Sequence, residues 1–307
     1  MKRVERSAGL LVCISFFLSC LSIRDLQAQD HPKGSGGLPV RYEELTGPDF
    51  VQAVVKSGST CLIPMGILEK HGPHLPIGTD LLDSREVALR AAQKEYTLVF
   101  PSYYFGQIFE AKHQPGTIAY SEKLIWDLLQ ETCDELSRNG IKKIILVNGH
   151  GGNNNFIHFF CQAQLASRKD YAVLIFNSSR DPEANEKIQK MRKTTMESHA
   201  GEMETSTVLA HRPDLVHIER AKDQSGEDQK RLQSLPDVYT GIWWYASFPN
   251  HYAGDGSPGN PELGELLLNS QADALVKVII NVKKDSTVLD LQRRFYDEAE
   301  NPLKTKQ

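Results

Sequence analysis

The stretch Gly66-Ile-Leu-Glu69-Lys-His71-Gly-Pro-His74-Leu-Pro-Ile-Gly-Thr-Asp80 sets a glutamate, a histidine and an aspartate close together. Glu69 and His71 are two residues apart, so in extended backbone their side chains leave the same face. Gly72-Pro73 and Pro76-Ile77-Gly78 then fold the chain back and can bring Asp80 round to that face. Two carboxylates and an imidazole converging on one point suit a divalent cation. Neutral imidazole favours zinc or a similar ion, and the carboxylates also admit manganese or iron. Alone, one Glu-Xaa-His pair is a weak signal, because ordinary polar loop residues look the same.

Two more stretches have chemistry-bearing residues at close spacing. Asn148-Gly149-His150-Gly151-Gly152-Asn153 sets a histidine among glycines, which let backbone approach a ligand closely. Glu197-Ser-His199-Ala-Gly-Glu202-Met-Glu204 supplies an imidazole and three carboxylates at the start of a helical pattern. Residues 239–259 are rich in glycine and aromatics, including Trp243-Trp244-Tyr245, and read as a pocket-lining loop rather than a regular element. Such rings can stack on a cyclic ligand or simply pack the core. His251 lies in the same loop.

These residues need elements to hold them. A short apolar run, Cys61-Leu62-Ile63-Pro64-Met65, reads as a buried strand that stops just before Glu69. Helices are expected over residues 42–57 and 83–93, a strand over 98–100, and a helix capped by Ser121 and stopped by Asn139-Gly140. Residues 141–147 have the continuous apolar character of a parallel strand covered on both faces. A helix over 155–167 and a strand over 172–176 follow, then polar surface chain over 177–193 and a charged insertion over 221–236. Pro261 opens a long amphipathic helix to about residue 282, and a last helix spans 289–298. Alternating strands and helices indicate an α/β layered domain with a mostly parallel sheet, whose ligands gather beyond the carboxyl ends of the strands.

The chain has 307 residues, 40% hydrophobic and 24% charged, with a net charge of -4. That balance is ordinary for a globular enzyme and argues against nucleic acid or an acidic membrane surface as the main partner. A small-molecule substrate is the expected partner. Residues 1–28, with a basic start and an apolar run over 8–23, read as a signal peptide, so the protein is expected to be periplasmic or secreted. A competing processing site ends at Cys20, and lipidation there would anchor the chain to a membrane. Residues 29–39 form a flexible linker, and 40–300 the folded domain. Cys61, Cys133 and Cys161 remain after cleavage, an odd set in apolar settings that reads as buried thiols rather than a disulfide framework.

Taken together, the stretches Pro64 to Asp80, Val147 to Asn153 and His199 to Ser206 resemble the three motifs of the creatininase family of metal-dependent amidohydrolases, in the family's order. The resemblance runs from about Tyr42 to Val282. It implies a single three-layer α/β/α domain, homo-oligomers that are often hexamers, and two divalent metal ions per subunit, zinc first with manganese or iron admissible. Carried over by motif position, Glu69, His71, Asp80 and His150 are metal ligands, with Asp80 shared between the ions. Creatinine-hydrolysing members have a further Glu ligand where this chain has Gly152, and Glu204 is its natural replacement. His199 matches the family's catalytic histidine and suits a proton shuttle. Asn153, Trp243, Trp244 and His251 are candidate substrate contacts.

The substrate implied is not creatinine itself. Thr195-Met196 stands where creatinine hydrolases carry a Trp-Asp pair. Other branches cleave formamides on pyrimidine nucleotides, act on a peptide-derived cofactor precursor, or open oxidised cyclic polyols. A cyclic amide fits an exported enzyme, with a lactone or cyclic keto-sugar as the alternative. A non-catalytic exported protein keeping a single metal for structure is the reading from another class.

Overall fold

The computed structural model describes residues 37–177 and 181–305. The expected signal peptide, Cys20 and residues 29–36 of the linker lie outside the described residues. Helix α1 (Gly47–Lys56) is started by Thr46, whose hydroxyl accepts the Asp49 N–H at 3.4 Å. It leads into strand β1 (Thr60–Met65), buried along its whole length. After the first motif come helix α2 (Thr79–Lys94), strand β2 (Leu98–Val99) and helix α3 (Glu122–Arg138). Strand β3 (Lys143–Asn148), helix α4 (Asn154–Ala163) and strand β4 (Ala172–Ile175) complete the sheet. Helices α5 (Pro182–Met191), α6 (Glu202–His211), α7 (Trp243–Ser247), α8 (Pro261–Lys284) and α9 (Thr287–Ala299) follow.

The four strands are parallel, in the order β2-β1-β3-β4. Alternation along them divides the core in two. Cys61, Ile63 and Met65 of β1 and Ile144 and Leu146 of β3 pack with Ala53, Leu129, Cys133, Ile157 and Phe160 from α1, α3 and α4. Leu62, Ile145 and Val147 pack on the other side with Val87, Ala88, Leu268, Leu275 and Ile279 from α2 and α8. Helices therefore cover both faces, the three-layer α/β/α domain that the sequence implies. Each fully buried Leu or Ile contributes about 1.5–3 kcal/mol of transfer free energy, which explains why both central strands tolerate no polar face. Cys61 and Cys133 are buried, Cys161 is half-buried, and all three are free thiols.

Three expectations are corrected. Helix α2 begins at Thr79, so Asp80 belongs to its first turn rather than to the preceding loop. Residues 182–191 are helical, because Asp181 caps the Glu183 and Ala184 N–H groups, Pro182 opens the first turn, and Ile188 buries fully. Trp243–Ser247 forms a short helix within the expected loop, closed by the Phe248 N–H on the Trp244 carbonyl at 2.7 Å.

Candidate metal centre

The chemistry-bearing side chains gather beyond the carboxyl ends of β1 and β3, where open parallel sheets place ligands. Two glycines make the gathering steric. A Cβ on Gly66 would lie 2.4 Å from the Leu81 nitrogen, and one on Gly149 would lie 2.8 Å from the Asp80 carbonyl. Without side chains at those two positions, the first turn of α2 nests against both strand ends. Asp80 then faces His71 with one oxygen and His150, beside Glu69, with the other.

The geometry is tight. Asp80 Oδ1 lies 2.9 Å from His71 Nε2, and its Oδ2 lies 3.0 Å from His150 Nδ1. His150 Nδ1 is also 2.8 Å from Glu69 Oε1. Glu204, on the first turn of α6, brings Oε2 to 4.0 Å from both His71 Nε2 and His199 Nδ1. Ligand atoms lie within 4.8 Å of one another in three groups: Glu69 with Asp80 and His150, His71 with Asp80 and Glu204, and Glu69 with His71 and His199. Asp80 belongs to the first two.

Backbone carbonyls fix which nitrogen each imidazole presents. His71 Nδ1–H donates to the Glu69 carbonyl at 3.2 Å, and His150 Nε2–H donates to the Gln107 carbonyl at 3.0 Å. His199 Nε2–H donates to the Lys70 carbonyl at 2.9 Å, leaving Nδ1 towards Glu204. Second nitrogens anchored this way are what oriented metal-ligating histidines show. His251 is held differently. Its Nδ1 accepts the Trp244 indole N–H at 2.8 Å, and its Nε2–H donates to Glu69 Oε2.

The residues fit a bound cation. Glu69 and Asp80 are buried, and the group facing Glu69 Oε1 and Asp80 Oδ2 is His150 Nδ1, which donates only when the ring is protonated. Every ion pair of Glu69, Asp80 and Glu204 among the described residues is to an imidazole, none to lysine or arginine. Buried carboxylates need a compensating positive charge, which these imidazoles supply by taking up protons and which a bound cation would supply in their place. Burial works to raise the Glu69 carboxyl, yet the imidazoles of His150 and His199 outweigh it and hold the group well below the usual carboxylate range. Burial opposes the protonated form of His71, but the Asp80 charge overrides it and lifts the imidazole to about 10. His150 is raised in the same way against its own burial, chiefly by Glu69. Burial, then the charge of His71, lowers His199 to about 4, so this imidazole is neutral near pH 7. Burial raises Glu204 to about 7.

A cavity of about 980 Å³ opens onto Glu69, Asp80, His150, His199 and Glu204. Trp243, Trp244 and His251 stand on its wall, as do Phe109 and Tyr239. Asn153 does not reach it. Its Oδ1 accepts the Gln107 N–H at 2.9 Å and its Nδ2 donates to Asn148 Oδ1 at 3.2 Å. Asn153 thus acts one step back, holding the residue whose carbonyl orients His150. Carboxylates in and beside the third motif also accept backbone N–H groups, and Glu204 Oε2 itself accepts the Ala200 N–H at 2.5 Å. Glu202 accepts the Lys193 and Thr194 N–H groups, and Glu197 accepts the Met203 and Glu204 N–H groups at the start of α6. Glu197 lies only two residues before His199, and nothing in its spacing distinguishes a helix cap from a ligand.

The creatininase family, described as creatinine amidohydrolase, matches residues 43–279. A creatinine amidohydrolase from Pseudomonas putida is 28% identical over 194 residues, which is 59% of this chain and 75% of that protein. A 3-dehydro-scyllo-inosose hydrolase from Thermotoga maritima is 28% identical over 174 residues, but the match spans only 55% of each chain. A solved structure named "Creatininase Mn" superposes with a TM-score of 0.68 at 24% identity, covering 80% of this chain and 99% of that one. With a family match over most of its length and carboxylates and imidazoles grouped for a cation, the chain belongs to the creatininase family of metal-dependent amidohydrolases.

Proposed function

We propose that this chain is an exported amidohydrolase with a dinuclear metal centre that hydrolyses a cyclic amide or related C–N bond, and that creatinine is not its substrate. The observation that supports the reading is Asp80, which offers one oxygen to each of two ligand groups. Glu69, Asp80 and His150 would hold one ion, and His71, Asp80 and Glu204 would hold the other. Mixed imidazole and carboxylate donors put zinc first, with manganese or iron as alternatives. Two such ions, when bound, supply an acidified water and an electrophile for the substrate carbonyl.

The chain's own residues do the rest. His199, neutral and tied through Nε2–H to the Lys70 carbonyl, keeps Nδ1 free to take the proton of the attacking water. The same nitrogen returns it to the leaving amine, so that amide and water become carboxylic acid and amine. Trp243, Trp244 and Tyr239 line the cavity and offer aromatic surface to a ring.

A second reading is hydrolysis of a cyclic keto-polyol or lactone by the same residues. The Thermotoga relative is named for such a ketone, and the departures at Gly152 and Thr195-Met196 remove features of creatinine hydrolases. The deciding experiment is elemental analysis of the purified chain and Glu204→Ala, followed by product analysis on cyclic amides and cyclic keto-polyols. About two ions per chain, falling in the variant, with amine release, is the expected result. Ring opening of ketones without amine release selects the second reading. One ion without turnover overturns both in favour of a binding protein.

A further inference from the structure

We propose that His251 is a positioning residue that sets which oxygen of Glu69 faces the metal centre, in an orientation fixed by Trp244. The inference rests on the reading of Glu69 as a ligand. A glutamate carboxylate has two equivalent oxygens and can meet a cation through either or both. Here Oε2 is taken by His251 Nε2–H, and only Oε1 is left beside His150 Nδ1, at 2.8 Å, without a donor of its own.

The proton on His251 is itself positioned. An indole nitrogen can only donate. Trp244 Nε1–H donates to His251 Nδ1 at 2.8 Å, so the neutral imidazole must carry its hydrogen on Nε2, the nitrogen that meets Glu69. Both residues are buried, with His251 2% and Glu69 0% exposed, so solvent does not compete for these bonds.

The backbone supports the same contact. His251 has φ +51°, a left-handed conformation that residues other than glycine adopt only under local constraint. Neighbouring bonds hold it there. Its carbonyl accepts the Gly72 N–H at 3.4 Å, and the adjacent Asn250 carbonyl accepts Lys70 Nζ at 2.6 Å. The two segments are thus tied together at Lys70 and Gly72, immediately after Glu69. Two hydrogen bonds therefore join the aromatic wall of the cavity to a metal ligand.

The test is zinc binding, read by competition with a chromophoric chelator, and the visible absorption of the Co²⁺-loaded protein, with folding checked by circular dichroism. His251→Ala is expected to weaken the affinity for one ion by about 10- to 100-fold, the range for residues that orient a metal ligand. His251→Gln, whose amide N–H reaches the place of Nε2, is expected to recover most of that loss. Trp244→Phe is expected to keep both ions but shift the Co²⁺ spectrum. Wild-type affinity and spectrum in His251→Ala would overturn the proposal. So would a folded His251→Gln as weak as the alanine variant, or, should His251→Ala not fold, a Trp244→Phe spectrum identical to wild type. Wild-type protein that takes up no zinc would instead overturn the metal-centre reading beneath it.

Discussion

Asp80 and His150 meet at 3.0 Å, Oδ2 to Nδ1, one from the first turn of α2 and the other just past the end of β3. The other Asp80 oxygen faces His71, so a single carboxylate belongs to both ligand groups. Asp80→Asn keeps the volume and removes the charge. The variant should stay folded, lose both ions, and weaken zinc binding by more than about 100-fold, since outer partners alone account for 10–100-fold. Elemental analysis beside circular dichroism checks this, and a variant that still holds one ion tightly would refute the sharing.

His199→Ala separates proton transfer from ligation. The expected result is a fall in kcat of about 10²–10⁴, the usual worth of a positioned acid-base group, with unchanged metal content. His199 also shares a ligand group with Glu69 and His71. Loss of an ion in the alanine variant would make it a ligand instead.

Metal binding should depend on pH with a definite sign. Against their own burial, Asp80 and Glu69 raise His71 and His150, so the metal-free cluster holds protons on these imidazoles at pH 7. A cation must expel those protons to reach the nitrogens. Affinity should therefore rise with pH, by about tenfold per unit for each proton displaced. Calorimetry in two buffers of different ionisation enthalpy measures the release directly, and a heat independent of buffer would contradict it.

Packing between α6 and α8 supports the site. A Cβ on Gly264 would fall 1.8 Å from the Ser206 carbonyl, a backbone atom with no freedom to yield. Gly264→Ala should cost about 1–3 kcal/mol and weaken metal binding as well, because α6 carries Glu204. Gly47→Ala, where a Cβ meets nothing within 4 Å, is the control. Equal melting temperatures for the two variants would show the contact to be unimportant.

Much of this arrangement is legible in the sequence because the sheet is buried on both faces. Parallel strands that meet helices above and below must be continuously apolar, and β1 and β3 announce themselves in that way. The motifs follow at the strand ends, where glycines mark close approach. Other features need the fold. Lys143 reads as a charge at a strand start, yet it is buried and its Nζ donates to the Val282 and Lys283 carbonyls at the end of α8. No spacing rule joins residues that far apart. Helix α5 has one fully buried side chain, Ile188, among charges, so periodicity is too thin to outweigh the polar composition. Asn153 sits inside a motif and looks like a ligand contact, but its amide is consumed by Asn148 and Gln107. The bond from His251 to Glu69 crosses 182 residues and depends on a left-handed turn at a position that is not glycine.

The wide dispersal of the cluster along the chain governs when it can be loaded. Glu69, His71, Asp80 and His150 are all synthesised well before Glu204 and His251, and α8, which packs on α6, comes later still. A growing chain on the ribosome thus owns most of the donors for a long interval without the groups that complete and enclose them. Non-local contacts of this kind form late in folding. An ion captured early would sit in an open, half-formed nest and exchange freely. Stable loading is therefore expected to wait for α6 and α8 to close over the donors of the first two motifs.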